Sequence, residues 1–130
     1  MTPFSPDRCT ILVADDDHEV RSLLKEELME EGYQVEVAKN GLDVLCEIPF
    51  HKFDLIITDW KMPLRDGMSI VRTLQEVCPG VPVILMTAYG SSKLKKEAQK
   101  AGAVYFQKPF SIEDLKGAIK KLLGSKKARY

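Results

Sequence analysis

Five times along the chain, a short β-branched apolar run precedes a stretch whose apolar residues recur at helical spacing. This alternation limits the fold more than any other feature. The apolar runs are residues 11–14, 34–38, 55–58, 81–87 and 104–107. Their length and β-branched content predict strands. The second run alternates and predicts a half-exposed strand. The third and fourth are almost continuously apolar, as in strands covered on both faces of a parallel sheet.

The intervening segments carry helix periods. Val20, Leu23, Leu24 and Leu28 make one stripe, with Gly32 as its stop. Leu42, Val44, Leu45 and Ile48 make a second that ends at Pro49, and Ile70, Val71, Leu74 and Val77 a third that ends before Pro79. Residues 91–101 form a fourth, lysine-rich segment. Ile112, Leu115, Ile119, Leu122 and Leu123 make the fifth, with Ser111 as N-cap and Gly124 as stop. Parallel neighbours need a helical crossover, so five strand–helix units predict an α/β, doubly wound parallel sheet.

At 130 residues the chain suits one domain, since domains commonly run to about 100–150 residues. The expected limits are an extension over 1–9, the domain over 10–124, and a basic tail or linker stump over 125–130. Lys+Arg and Asp+Glu balance at 19 each, which is not the basic footprint of a nucleic-acid binder. Cys9, Cys46 and Cys78 match neither a zinc pattern nor a disulfide framework, so a reducing compartment is expected. No run approaches the roughly 20 apolar residues of a membrane span. A soluble, cytoplasmic protein is the expectation.

The unusual polar residues fall at the carboxyl ends of the strands: Asp15, Asp16 and Asp17 after the first, Asp59 after the third, Thr87 after the fourth, Lys108 after the fifth. Open α/β sheets bind ligands in the crevice beyond these ends. Clustered carboxylates repel, and two charges 4 Å apart interact by about 4 kcal/mol at an effective dielectric near 20. Lys108 and a hard cation would relieve that, and oxygen donors suit Mg²⁺. Mg²⁺, a lysine and a threonine hydroxyl make a cradle for a phosphoryl group. A carboxylate in the same cradle can serve as nucleophile and form an aspartyl phosphate.

The runs Ile-Leu-Val-Ala-Asp-Asp-Asp over 11–17, Asp-Trp-Lys-Met-Pro-Leu-Arg-Asp-Gly over 59–67, Met-Thr-Ala over 86–88 and Lys-Pro-Phe over 108–110 resemble the receiver domain of bacterial two-component response regulators. The resemblance spans about residues 10–124. It implies a flavodoxin-like (βα)5 fold with strand order 2-1-3-4-5. It implies Asp59 as phosphoacceptor, and Asp15, Asp16, Asp59 and the Lys61 backbone carbonyl as Mg²⁺ ligands. By it, Thr87 and Lys108 contact the phosphoryl group, Thr87 and Tyr105 form the switch, Gly67 supplies a turn, and the bond before Pro109 is cis. Lys61 and Tyr89 occupy the positions that tune phosphoryl lifetime. Both are bulky, like the pair in sporulation phosphorelay receivers, and slow self-dephosphorylation is expected.

The resemblance further implies a sensor histidine kinase or phosphotransfer protein as donor. It implies an output domain or downstream protein met by the fourth helix, fifth strand and fifth helix, and homodimerisation on phosphorylation as an option. Neither direct nucleic-acid contact nor a membrane role is expected, and the chain is read as a regulatory phosphoacceptor rather than an enzyme.

Plainer roles are expected elsewhere. Asp17 reads as a helix N-cap or an acid behind the metal ligands rather than a ligand itself, and Asp66 as a turn residue. Trp60 either covers the site or packs beside it. His18 and His51 read as solvated residues with no paired ligand, the cysteines as filler in or near the core, and Lys93, Lys95, Lys96 and Lys100 as a solvated face. A dehalogenase-type phosphatase also uses an Asp-x-Asp after strand one, and Asp15 and Asp17 fit it, but His18-Glu19 stands where Gly-Thr or Gly-Val belongs, and there is no room for a cap. A flavodoxin-like nucleotide binder needs a Gly/Ser/Thr-rich first loop, where this chain has three aspartates. A degenerate receiver that only docks would not need the full set of acids, Thr and Lys.

Overall fold

The computed structural model describes residues 8–60 and 67–127. The elements run β1 (Thr10–Ala14), α1 (His18–Glu30), β2 (Gln34–Ala38), α2 (Gly41–Glu47), a 3₁₀ turn (Ile48–Phe50), β3 (Leu55–Asp59), α3 (Gly67–Val77), β4 (Val83–Thr87), α4 (Ser92–Lys100), β5 (Val104–Gln107) and α5 (Ile112–Lys127). The five strands are parallel, in the order β2-β1-β3-β4-β5. The strand order reverses between β1 and β3, which places the ligand crevice of a doubly wound sheet at their carboxyl ends.

Side chains alternate across the sheet and feed two cores. Leu12, Ile56, Val83 and Leu85 pack with Val44 of α2, Ile70, Val71 and Leu74 of α3, and Leu94 and Ala98 of α4. Ile11, Val13, Leu55, Ile57, Ile84 and Met86 pack on the other face with Leu24 and Leu28 of α1 and Leu115, Ile119 and Leu123 of α5. Every residue of β3 and β4 is buried. Each fully buried Leu or Ile contributes about 1.5–3 kcal/mol, so these two strands anchor the site that hangs from their ends. β2 at the edge is only partly covered: Val35 and Ala38 are buried on opposite faces, Glu36 is half-buried, and Val37 is exposed despite the alternation. Leu23, Leu42 and Val77 lie at the margins of their helical stripes and stay exposed.

The helix ends follow the cap residues. Asp17, Asn40, Ser91 and Ser111 each accept backbone N–H bonds from the first turn of the helix that follows, worth about 1 kcal/mol apiece. At Gly32 the chain turns with φ 97°; Gly32 N–H donates to Met29 O and Tyr33 N–H to Leu28 O, closing α1 with its last carbonyls satisfied.

Three boundaries differ from the sequence expectation. α5 does not stop at Gly124 but runs on to Lys127. A helical glycine costs about 1 kcal/mol relative to alanine and is no barrier by itself; the stop at Gly32 comes from its positive φ, which Gly124 lacks. Pro49 does not end α2 cleanly either, because it is taken into the 3₁₀ turn that follows. β4 begins at Val83 rather than 81. Pro82 gives its carbonyl to Ile56 N–H at 3.1 Å but has no N–H to return. Of the cysteines, Cys9 is buried, Cys78 is half-buried, and Cys46 is exposed rather than in the core.

Candidate functional site

The register of the sheet assembles the polar residues. Asp59 is the last residue of β3 and pairs with Met86 of β4, one residue before Thr87. Thr87 ends β4 opposite Gln107, so Lys108 follows directly at the same level. The Lys108 N–H donates to Thr87 O at 2.7 Å, and the Lys108–Pro109 peptide is cis. On the other side, Asp15 leaves β1 with its N–H on Ala38 O. Trp60 N–H reaches Met86 O at 2.7 Å and holds the chain just after Asp59.

Asp15 is fully buried and its carboxylate is engaged on both oxygens. Oδ1 accepts from Asp17 N–H at 2.9 Å, and Oδ2 accepts from Lys108 Nζ at 2.7 Å. Lys108 Nζ also donates to Asp59 Oδ2 at 3.3 Å. One ammonium thus bridges carboxylates 93 and 49 residues away in the chain. Asp16 lies beside them at the surface, and one carboxylate oxygen from each of Asp15, Asp16 and Asp59 lies within 4.8 Å of the others. At an effective dielectric near 20, the repulsion between Asp15 and Asp59 alone is about 3–4 kcal/mol.

Burial pushes the Lys108 ammonium down from its ordinary 10.5. The hydrogen bond and charge of Asp15, followed by those of Asp59, outweigh it, so the net shift is upward and Lys108 is cationic at neutral pH. Among the described residues, three carboxylates still face one ammonium. A hard divalent cation fits this donor set, because carboxylate oxygens around an open, water-accessible position are what Mg²⁺ takes. The Asp15, Asp16 and Asp59 carboxylates are the described residues that could hold it.

Thr87 is buried, and its Oγ1 accepts from Tyr89 N–H at 2.9 Å. The Tyr89 ring itself is exposed. Tyr105 points inward, packed beside the core under α4. Its hydroxyl is buried without a hydrogen-bond partner among the described residues, and a Cβ added at Gly90 would collide with it. Trp60 is half-buried beside the same core and lines a shallow cleft with Arg72, Ser91 and Leu94. Asp17 caps α1. Lys93, Lys95, Lys96 and Lys100 stand on the exposed face of α4. Gly67 is the first residue of α3, while Lys61 and Asp66 lie outside the described residues.

Two residues at the site were not singled out from the sequence. Arg21, on the first turns of α1, donates from Nη1 to Asp15 O at 2.7 Å and pins the loop after β1. A helical arginine gives no signal of that contact. Gly90 supplies the space into which the Tyr105 hydroxyl fits. Its placement three residues after Thr87 is the one hint the sequence holds.

The profile of the response regulator receiver domain matches residues 11–120. Sporulation initiation phosphotransferase F of Bacillus subtilis is 39% identical over 114 residues, which cover 87% of this chain and 92% of that protein. Transcriptional regulatory protein ZraR of Escherichia coli is 35% identical over 118 residues, covering 90% of this chain but only 27% of that protein. Among solved structures, response regulator protein TrrA from Thermotoga maritima, in complex with Mg²⁺–BeF, superposes with a TM-score of 0.80 at 36% identity, covering 88% of this chain and 99% of that one.

Proposed function

The chain belongs to the response regulator receiver domain family, and on that premise we propose that Asp59 is the residue that accepts the phosphoryl group. The observation that carries this reading is the bridge from Lys108 Nζ to both Asp15 and Asp59, with Asp16 alongside. Asp59 stands at the end of a rigid buried strand as one of the two carboxylates this ammonium holds, and the other, Asp15, has both oxygens engaged.

In the proposed step, an Asp59 carboxylate oxygen attacks phosphorus in line. The new O–P bond forms as the bond to the donor breaks. The electron pair leaves with the imidazole nitrogen of a phosphohistidine, which then takes a proton, or with the carboxylate of a small acyl phosphate. Mg²⁺, held by Asp15, Asp16, Asp59 and the Lys61 carbonyl, would supply charge neutralisation for the phosphoryl oxygens. Lys108 Nζ moves its donation from Asp59 to a phosphoryl oxygen without leaving Asp15. The Thr87 hydroxyl turns from its local contact with Tyr89 N–H to a second phosphoryl oxygen. Tyr105 responds on the α4–β5–α5 face, and the phosphoryl group selects between two pre-existing conformations.

The donor is a histidine kinase or phosphotransfer protein, and the output a downstream protein or domain that reads the α4–β5–α5 face. The chain acts as a regulatory phosphoacceptor rather than an enzyme with a separate substrate. Mg²⁺ in the Thermotoga complex and the word phosphotransferase in the name of the Bacillus relative support this reading. The test is phosphorylation with acetyl phosphate and Mg²⁺, read by intact mass. The wild type gains one phosphoryl group, the gain disappears when Mg²⁺ is chelated, and Asp59→Asn gains none. Equal gain in both proteins would sink the assignment.

A further inference from the structure

Away from the acidic crevice, a second group of ligating side chains comes together. Glu36 of β2, Glu47 at the end of α2 and His51 just after the 3₁₀ turn each offer one ligand atom, and all three atoms lie within 4.8 Å of one another. His51 Nε2 is 3.7 Å from Glu47 Oε1, and both side chains are about two-thirds buried (31% and 32% exposed). The sequence expectation of a solvated His51 without a paired ligand is therefore corrected. The pairing arises because Glu36 and Ala38 share the sheet face that α2 covers, and the 3₁₀ turn brings His51 back beneath it.

The arrangement is positioned rather than incidental. The His51 ring packs on the Phe53 ring, with centroids 5.4 Å apart and planes at 37°. Phe53 is itself buried in the core, so the imidazole has a fixed support. Glu36 is half-buried and has no ion pair or hydrogen bond among the described residues. Two partly desolvated carboxylates held this close repel one another, and His51 is the only group of basic character among the three. A cation would relieve them.

We propose that Glu36, Glu47 and His51 form a binding site for a borderline divalent cation of the Zn²⁺ class. One imidazole nitrogen with two carboxylate oxygens is a donor set for Zn²⁺, Co²⁺, Ni²⁺ or Cu²⁺ rather than for all-oxygen Mg²⁺. Bonds of about 2.0–2.2 Å require ligand atoms roughly 3–3.5 Å apart, which small rotamer changes from the present spacing supply. Water would complete a four-coordinate shell. The length of β3 separates the group from the Mg²⁺ crevice, because His51 precedes that strand and Asp59 ends it. A bound ion would clamp edge strand β2 to the end of α2.

The experiment is a Co²⁺ titration of the 130-residue chain with saturating Mg²⁺ present to fill the acidic crevice, followed by visible absorption and by the His51 imidazole signals in NMR. The wild type should bind one Co²⁺ with ligand-field bands that Zn²⁺ abolishes, and the His51 signals should broaden. His51→Ala and Glu36→Gln should each weaken binding at least about tenfold, and Asp59→Asn should leave it unchanged. Glu47→Gln repeats the test should His51→Ala fail to give the wild-type circular dichroism. Three outcomes overturn the proposal: no saturable binding in the wild type, equal binding in the ligand variants, or binding lost only in Asp59→Asn.

Discussion

Replacing Lys108 with methionine keeps most of the length of the apolar stem and removes the ammonium that bridges Asp15 and Asp59. The bridge spans 2.7 and 3.3 Å. At an effective dielectric near 20, those separations correspond to gross attractions of roughly 6 and 5 kcal/mol. Desolvation of the three groups offsets much of that. Removing one partner of a buried pair typically costs about 3–5 kcal/mol, because the remaining charge is stranded. Here Asp15 is 1% exposed, Asp59 11% and Lys108 20%, and Asp15 keeps its bond from Asp17 N–H. The lower part of the range applies, a loss of about 3–4 kcal/mol for Lys108→Met without divalent ions.

The assay is urea unfolding followed by circular dichroism, with and without Mg²⁺. Mg²⁺ replaces the missing cation, so it stabilises the variant more than the wild type. The folded pKa of Lys108 lies above its ordinary 10.5, so its contribution is fully present below that value and lost only as pH rises through the folded pKa. The gap between wild type and variant is therefore flat from neutral pH to about 10. An unchanged stability in Mg²⁺-free buffer, or a loss that Mg²⁺ does not reduce, refutes the electrostatic account of the site.

Further outcomes follow from other contacts. Tyr105→Phe removes a buried hydroxyl that has no partner among the described residues, so its unfolding free energy should hold or rise by up to about 1 kcal/mol. Gly90→Ala overpacks against that hydroxyl and should cost about 1–3 kcal/mol in urea unfolding, and less in the Tyr105→Phe background, where the colliding atom is gone. Asp16→Asn removes one carboxylate of the cluster, so Mg²⁺ titration by Trp60 fluorescence should show at least about tenfold weaker binding, while stability without Mg²⁺ rises. Replacing Lys61 and Tyr89 with alanine should admit water and speed loss of the phosphoryl group, measured as decay of the phosphorylated mass after the donor is removed.

Much of the fold is legible because burial writes itself into residue type. β3 and β4 read as uninterrupted apolar runs since both faces are covered, and the polar residues of β2 mark it as a partly covered edge strand. The caps Asp17 and Ser111 are legible because a short oxygen must meet the first N–H groups of a helix. The crevice residues are legible as a set because a parallel sheet delivers every strand end to one edge. Contacts that depend on where a long or small side chain finally lies are not legible. Arg21 reaches the Asp15 carbonyl across a helix turn, Gly90 matters only through a ring 15 positions later, and His51 meets Glu36 only once β2 and α2 are packed. Gly124 misleads because composition alone does not report φ.

The most direct test of the central claim is to trap the acyl phosphate. After incubation with acetyl phosphate and Mg²⁺, borohydride reduces an aspartyl phosphate to homoserine, and peptide mass spectrometry locates the change. The account predicts homoserine at position 59 alone, absent without Mg²⁺ and absent in Lys108→Met under conditions where the wild type is modified. Homoserine at position 15 or 16, or at none, contradicts it.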